Sequence, residues 1–176
     1  MKEHIRHFIY LCILIVIDQA SKYWAKAALS AGNAITIIPK VLKLQYHENS
    51  GAVWGILQGK AGALSILTIF ILAALFFVYL HIPKDKKYTV LKLVFLLIAA
   101  GAVGNMIDRI HYNYVVDFIY FELINFPVFN IADSYVTVAS ALIIILAIFY
   151  YKDEDLAFLE QMFRKKKTGK QDNANR

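Results

Sequence analysis

Residues 61–81 read AGALSILTIFILAALFFVYLH, a run without a single Asp, Glu, Lys or Arg. At about 1.5 Å of rise per residue, such a run crosses the roughly 30 Å hydrocarbon core of a bilayer as one helix. Lipid offers no water to satisfy backbone N–H and C=O groups, so a helix is the form this segment can take there. The whole chain follows suit: 59% of its residues are hydrophobic and 18% charged, against about 45–50% and 25% in a soluble domain. Three further apolar runs, at about 7–25, 88–107 and 127–151, bring the spans to four. The third qualifies if Lys92 in its first turn snorkels toward headgroups. The fold class expected is an all-α integral membrane protein: four transmembrane helices with a small extracytoplasmic β-containing segment. Residues 1–151 form that domain, and 152–176 a basic cytoplasmic tail.

Cations orient the spans. Lys2 and Arg6 precede the first, Lys84, Lys86, Lys87 and Lys92 surround the second connection, and Lys152 with Arg164–Lys167 follows the last. The positive-inside rule then puts both termini and the Pro83–Lys87 connection in the cytoplasm. Lys22, Lys26, Lys40, Lys43 and Lys60 weaken this bias without reversing it. A cleavable signal peptide is disfavoured, because Asp18 follows the first apolar run and no small-residue cleavage site does. The net charge of +6 resides in these flanks. The RKKK run near the end reads as a topology signal and an anchor to anionic lipid. Without interleaved aromatics it does not read as a nucleic-acid site, and the tail after about Lys165 reads as disordered. Between Thr36 and His47, apolar Leu42, Leu44 and Tyr46 alternate with Lys43, Gln45 and His47, the period of a half-buried strand.

Helical rise places the carboxylates. Asp133 lies about nineteen residues before Lys152 and Asp108 about twenty-one after Lys87, roughly 28 and 31 Å along a helix. Both therefore sit near the outer membrane boundary, with Asp117 close by and Asp18 somewhat deeper. Carboxylates beside hydrocarbon are costly, which makes them functional candidates. Each also has a structural reading. Asp18 and Lys22 are spaced i, i+4 and could be an ion pair. Asp108 could cap a helix end or pair with a neighbour, and Asp133-Ser134 could begin a helix as an N-cap. A small proton-coupled transporter would carry its carboxylates near the midplane, often in related halves; no repeat is visible here. A non-enzymatic scaffold gives no reason for Asp and Asn residues gathered at one membrane level.

Other chemistry is thinly represented. The five histidines lack metal-ligand spacing, and no HExxH is present. No serine has a lysine or histidine arrangement that would make it a nucleophile. Cys12 is the lone cysteine, so no intrachain disulfide can form, and it reads as a small buried or lipid-facing residue. GAVGN at 101–105 looks like a dinucleotide loop, but inside an apolar span it reads as close helix packing.

Five blocks together resemble the lipoprotein signal peptidases (signal peptidase II) of bacteria: IDQASK at 17–22, ENSGAVWG at 48–55, GNMIDR at 104–109, VVDF at 115–118 and FNIADS at 129–134. Each block is weak alone; all five in order in a small four-span protein are specific. Val53-Trp54 departs from the small residue and phenylalanine often found after the Gly-Ala of the second block. The resemblance implies an aspartic endopeptidase whose catalytic pair falls on Asp117 and Asp133. The substrate implied is a diacylglyceryl-modified prolipoprotein, cut just before the lipid-bearing cysteine. Asn49, Gly51, Asn105, Arg109 and Asn130 match polar or close-approach positions that support the pair or hold substrate main chain. Asp18, Lys22 and Asp108 also match, shaping the site. Arg109 could equally hold lipid phosphate. Trp54, Phe118, Tyr120 and Phe121 could meet acyl chains or anchor at the interface. The resemblance further implies no metal or organic cofactor, and a monomer in the bacterial cytoplasmic membrane. Its partners would be prolipoproteins and membrane lipids, with no nucleic acid, and its active site would lie near the outer leaflet.

Overall fold

The computed structural model describes residues 2–51 and 58–163. Four helices are long and apolar enough to cross a membrane: α1 (Lys2–Leu29), α2 (Ala61–His81), α3 (Thr89–Tyr112, entered by a 3-10 turn at Lys86–Tyr88) and α4 (Ile131–Phe149). Helix α3 is central and packs against α1, α2 and α4. Strands β1 (Ala34–Ile38), β2 (Leu42–Asn49) and β3 (Val115–Phe121) form an antiparallel sheet in the order β1-β2-β3. They occupy the α1–α2 and α3–α4 connections, so the sheet sits at one end of the bundle. A fifth helix, α5 (Asp153–Phe163), follows α4 at the other end.

Local chemistry explains the boundaries. Pro83 stops α2, since the residue before a proline is driven out of the α region, and Ile82 adopts φ −62°, ψ 128°. Asn113 ends α3 in the left-handed conformation at φ 65°, its N–H returning to the Arg109 carbonyl. The alternating residues 42–47 lie in β2, whereas 36–38 belong to the separate strand β1. Pro39 and Lys40, the latter at φ 60°, turn the chain between them. Helix α4 begins at Ile131 and not at 127, because Phe129 is held in a bridge to Ile119 and Asn130 is the N-cap. Lys92 does not snorkel. It is 5% exposed and its Nζ pairs with Glu3 Oε1 of α1 at 2.9 Å. Cys12 lies on the exposed face of α1.

Helices α3 and α4 pack closely. A Cβ on Gly101 would lie 2.5 Å from the Ala132 carbonyl oxygen and 2.7 Å from Val136 Cγ2. The GAVGN stretch is thus a helix-packing surface that brings the first turn of α4 against the middle of α3. At the sheet end, Ala25 and Leu29 of α1 pack on Val116 and Phe118 of β3. At the far end, Tyr88 stacks on Tyr151 (5.5 Å, 10°) and meets Phe158 of α5 edge-on. The segment after Tyr151, read from sequence as basic tail, therefore opens with an acidic helix docked on the bundle; residues beyond 163 lie outside the described ones.

Candidate active site

Strand β3 passes beneath the start of α4, and this crossing builds the site. Asp117 is the third residue of β3, opposite His47 of β2 and beside a register shift between Leu44 and His47. A bulge of this kind twists a strand and redirects its side chains. Asp117 is 1% exposed, and its carboxyl receives only N–H donors: Asn49 Nδ2 to Oδ2 at 2.9 Å and Asn130 Nδ2 to Oδ1 at 2.7 Å. Burial, and next the charge of Asp133, push the Asp117 carboxyl up to about 7.

Asp133 stands at the third position of α4 in a reciprocal capping box. Asn130 Oδ1 accepts from the Asp133 N–H at 3.0 Å, and Asp133 Oδ2 accepts from the Asn130 N–H at 3.1 Å. Its other oxygen accepts from Asn105 Nδ2 at 2.8 Å. The N-cap reading of this region holds, but the cap residue is Asn130, not Asp133. The same Asn130 caps the helix with its oxygen and holds Asp117 with its nitrogen. One fully buried carboxamide thus spans both aspartates.

Below them lies a buried charged layer. Lys22 Nζ donates to Asp18 Oδ2 at 2.9 Å, Asp108 Oδ2 at 3.1 Å and Asn105 Oδ1 at 2.8 Å. Asp18 Oδ1 accepts from the Ala132 N–H at 2.9 Å, and Asp108 Oδ2 from the Val116 N–H at 3.0 Å. Each carboxylate therefore ties a transmembrane helix to a backbone segment carrying Asp133 or Asp117. The i, i+4 pair seen in the sequence is real, and so is the role of Asp108 as a partner rather than a helix cap. Gln19 completes the layer, its Nε2 reaching Asp18 Oδ2, Asp108 Oδ1 and the Gly104 carbonyl at 3.0–3.1 Å. Sequence reasoning passed over Gln19, although it lies inside the IDQASK block beside Asp18. The backbone donors of Val116 and Ala132 leave no trace in side-chain identity.

Arg109 donates from Nη2 to the Gly51 carbonyl at 3.2 Å, and the Gly51 N–H donates to Asn49 Oδ1 at 3.0 Å. This fixes the Asn49 amide with its NH2 toward Asp117. Arg109 Nε is buried without a hydrogen-bond partner among the described residues. The expected aromatic surface is divided. Phe118 is buried in the α1–β3 core with Trp24 edge-on, Tyr120 donates to Asn125, and Phe121 stacks on Phe129. Phe118 is therefore a packing residue and not a free acyl contact, while Trp54 lies outside the described residues.

The arrangement brings together all ten residues singled out from sequence, from Asp18 to Asp133, in one network. Among the described residues Asp117 and Asp133 receive only N–H donors, which leaves lone pairs on both carboxyls unfilled. Asp133, half-buried where Asp117 is sealed, is the side open to approach.

Known proteins resemble this chain in sequence and in shape. The sequence profile of the family described as Signal peptidase (SPase) II matches residues 10–149. A lipoprotein signal peptidase of Staphylococcus aureus (strain JH9) is 41% identical over 150 residues, covering 81% of this chain and 90% of that one. One from Streptococcus thermophilus (strain CNRZ 1066) is 40% identical over 133 residues, covering 76% and 86%. Two solved structures, described as bacterial membrane enzymes determined by the in meso method at 2.3 and 1.9 Å, align with TM-scores of 0.69 and 0.71. They are 36% and 37% identical, covering 93% and 83% of this chain and 93% and 94% of theirs. With four spans around a polar network that includes every one of the five sequence blocks in its described parts, the chain belongs to the signal peptidase II family of bacterial membrane peptidases that process lipoproteins.

Proposed function

We propose that this chain is an aspartic endopeptidase that removes the signal peptide from diacylglyceryl-modified prolipoproteins, cutting just before the lipid-bearing cysteine, with Asp117 and Asp133 as its catalytic pair. The observation that carries this reading is the Asn130 carboxamide, bonded at once to Asp117 Oδ1 and to the N–H of Asp133. It links the Asp117 carboxyl on β3 to the backbone of Asp133 on α4, and the Asn130 N–H reaches the Asp133 carboxyl in turn.

Carboxyls held about 3 Å apart cannot both ionise readily, so such a pair shares one proton. The displacement of the Asp117 carboxyl to about 7 fits that sharing near neutral pH. The ionised member removes a proton from a water molecule, which attacks the scissile carbonyl carbon. The protonated member donates a hydrogen bond to the carbonyl oxygen as negative charge develops there. Collapse of the tetrahedral intermediate breaks the C–N bond as a proton passes from the pair to the leaving amine. The two protonation steps belong to the pair rather than to either residue. Arg109 and Asn49 flank this chemistry, and the guanidinium N–H groups without a partner among the described residues are donors suited to substrate main-chain carbonyls. Charge placement supports cytoplasmic termini and a site near the outer leaflet, where the lipid-bearing substrate is held. Residues 1–151 then form the peptidase domain, acting as a monomer among membrane lipids without metal or organic cofactor.

The test compares wild type with Asp117→Asn and Asp133→Asn, each folded and purified in detergent, on a diacylglyceryl-modified prolipoprotein. Both variants lose cleavage while still binding substrate. Near wild-type turnover by either one would remove that aspartate from the mechanism. A chelator leaves the rate of the wild type unchanged.

A further inference from the structure

Lys22 touches neither Asp117 nor Asp133 in the hydrogen-bond network, yet it controls a group that does. Its ammonium is 3% exposed and has three partners, Asp18 Oδ2, Asp108 Oδ2 and Asn105 Oδ1, at 2.8–3.1 Å. An ammonium has three hydrogens and no lone pair, so every group facing it must accept. Asn105 therefore turns its oxygen toward Lys22, and its NH2 is left to face Asp133 Oδ1 at 2.8 Å. A carboxamide rotated by half a turn has nearly the same shape but exchanges donor for acceptor. In that flip Asn105 would set a carbonyl against the Asp133 carboxyl. The other group on Asn105 Oδ1 is Asn130 Nδ2 at 3.1 Å, whose two hydrogens are already divided with Asp117 Oδ1 at 2.7 Å and the Val116 carbonyl at 3.4 Å. Asn130 alone has too few hydrogens to hold Asn105 in place.

We propose that Lys22 is a positioning residue for peptide cleavage, acting on Asp133 through Asn105 by fixing which end of that carboxamide faces the carboxyl. The proposal rests on the aspartyl reading of the site. It separates Lys22 from a merely structural ion pair, because it routes the effect on kcat through Asn105.

A double-mutant cycle tests this with the full chain in detergent and a diacylglyceryl-modified prolipopeptide as substrate. Lys22→Met keeps the length and removes the donor, and Asn105→Leu removes the amide. Each lowers kcat about 10- to 100-fold with KM changed less than about threefold, the scale of a misplaced catalytic group. The double variant is no slower than Asn105→Leu within about twofold. Lys22→Arg, which keeps donors on the same partners, recovers part of the rate. Where Lys22→Met does not accumulate as folded protein, the same cycle is run in an Asp18→Asn background, which removes one buried charge of each sign. Near wild-type kcat for the Lys22 variant, or losses that multiply in the double variant, overturns the proposal. Should Asp117→Asn or Asp133→Asn also cleave normally, the aspartyl reading itself falls; if both are inactive and the losses multiply, only the role of Lys22 does.

Discussion

The Ala132 N–H at the start of α4 donates to Asp18 Oδ1 in α1 across 2.9 Å, one residue before Asp133. Asp18 thereby serves two masters: one oxygen anchors the helix that carries Asp133, the other neutralises Lys22. Both oxygens are fully buried with the residue at 0% exposure.

Removing one member of a buried ion pair leaves the other charge uncompensated, a cost of about 3–5 kcal/mol. Asp18→Ala therefore lowers the thermal midpoint of the purified protein strongly. Asp18→Asn does so less, since its carbonyl can still accept from Ala132. Unfolding followed by circular dichroism or dye binding in detergent reads the difference. An Ala variant as stable as wild type would mean that Lys22 is neutralised elsewhere.

Helical glycines differ sharply in what they permit. A Cβ at Gly104 would collide with Asp18 Oδ2, which is pinned by Lys22 and by Gln19. Gly104→Ala is expected to cost about 1–3 kcal/mol, as overpacking does, and to depress turnover by displacing the layer beneath Asp133. Gly62 of α2 has no described atom within 4 Å of the same position. Gly62→Ala thus leaves stability unchanged or slightly higher, and the pair of midpoints measured side by side checks the contrast.

The buried Asp117 carboxyl has a consequence for stability against pH. Its ordinary value of 3.8 is raised to about 7 in the folded protein. The folded state then binds more protons than the unfolded one between these values, so the contribution is present in full below about 3.8 and is lost as pH rises through about 7. Asp117→Asn removes this titration. Relative to wild type, the variant gains stability as pH is raised from about 4 to 8, and midpoints recorded across that range reveal the trend. A constant difference at every pH would show that Asp117 titrates normally.

Tyr88 links the far end of the bundle to α5. It is 7% exposed, stacks on Tyr151, meets Phe158 and donates from its hydroxyl to the Asp155 carbonyl at 2.8 Å. Tyr88→Ala is expected to cost about 3 kcal/mol, the range for an aromatic lost from a core. Cleavage below the unfolding temperature stays near wild type, because this contact is far from Asp117. Comparing thermal midpoint with initial rate separates the two effects, and an early loss of rate would tie α5 to the reaction.

By itself the sequence determined the membrane, the four spans and the short list of polar residues. Runs such as 61–81 have one way to satisfy their backbone in lipid, and a carboxylate in an apolar segment stands out against its surroundings. Helical rise even placed Asp108 and Asp133 toward the same level. Periodicity also exposed β2, through the alternation of Leu42, Leu44 and Tyr46 with Lys43, Gln45 and His47, but β3 remained hidden. Val115, Val116, Asp117 and Phe118 are all buried, so the strand has no alternation to read. Composition gave no warning of α5 either, because its few apolar contacts are made with Tyr88 and the end of α2.

Tertiary structure alone decided how the carboxylates are shared out. Aspartates 108, 117 and 133 are similar groups at similar depth, and although the i, i+4 spacing offers Asp18 to Lys22, nothing in the spacing adds Asp108 to that pair or gives Asp117 and Asp133 to Asn130. That division follows from donors that exist only when the chain is folded: the N–H groups of Val116 and Ala132 claim Asp108 and Asp18, while the amides of Asn49, Asn105 and Asn130 converge on Asp117 and Asp133. Lys22, with only three hydrogens to give, spends two on the lower pair and the third on Asn105. The upper pair is left with neutral donors and, among the described residues, no cation of its own in the hydrogen-bond network.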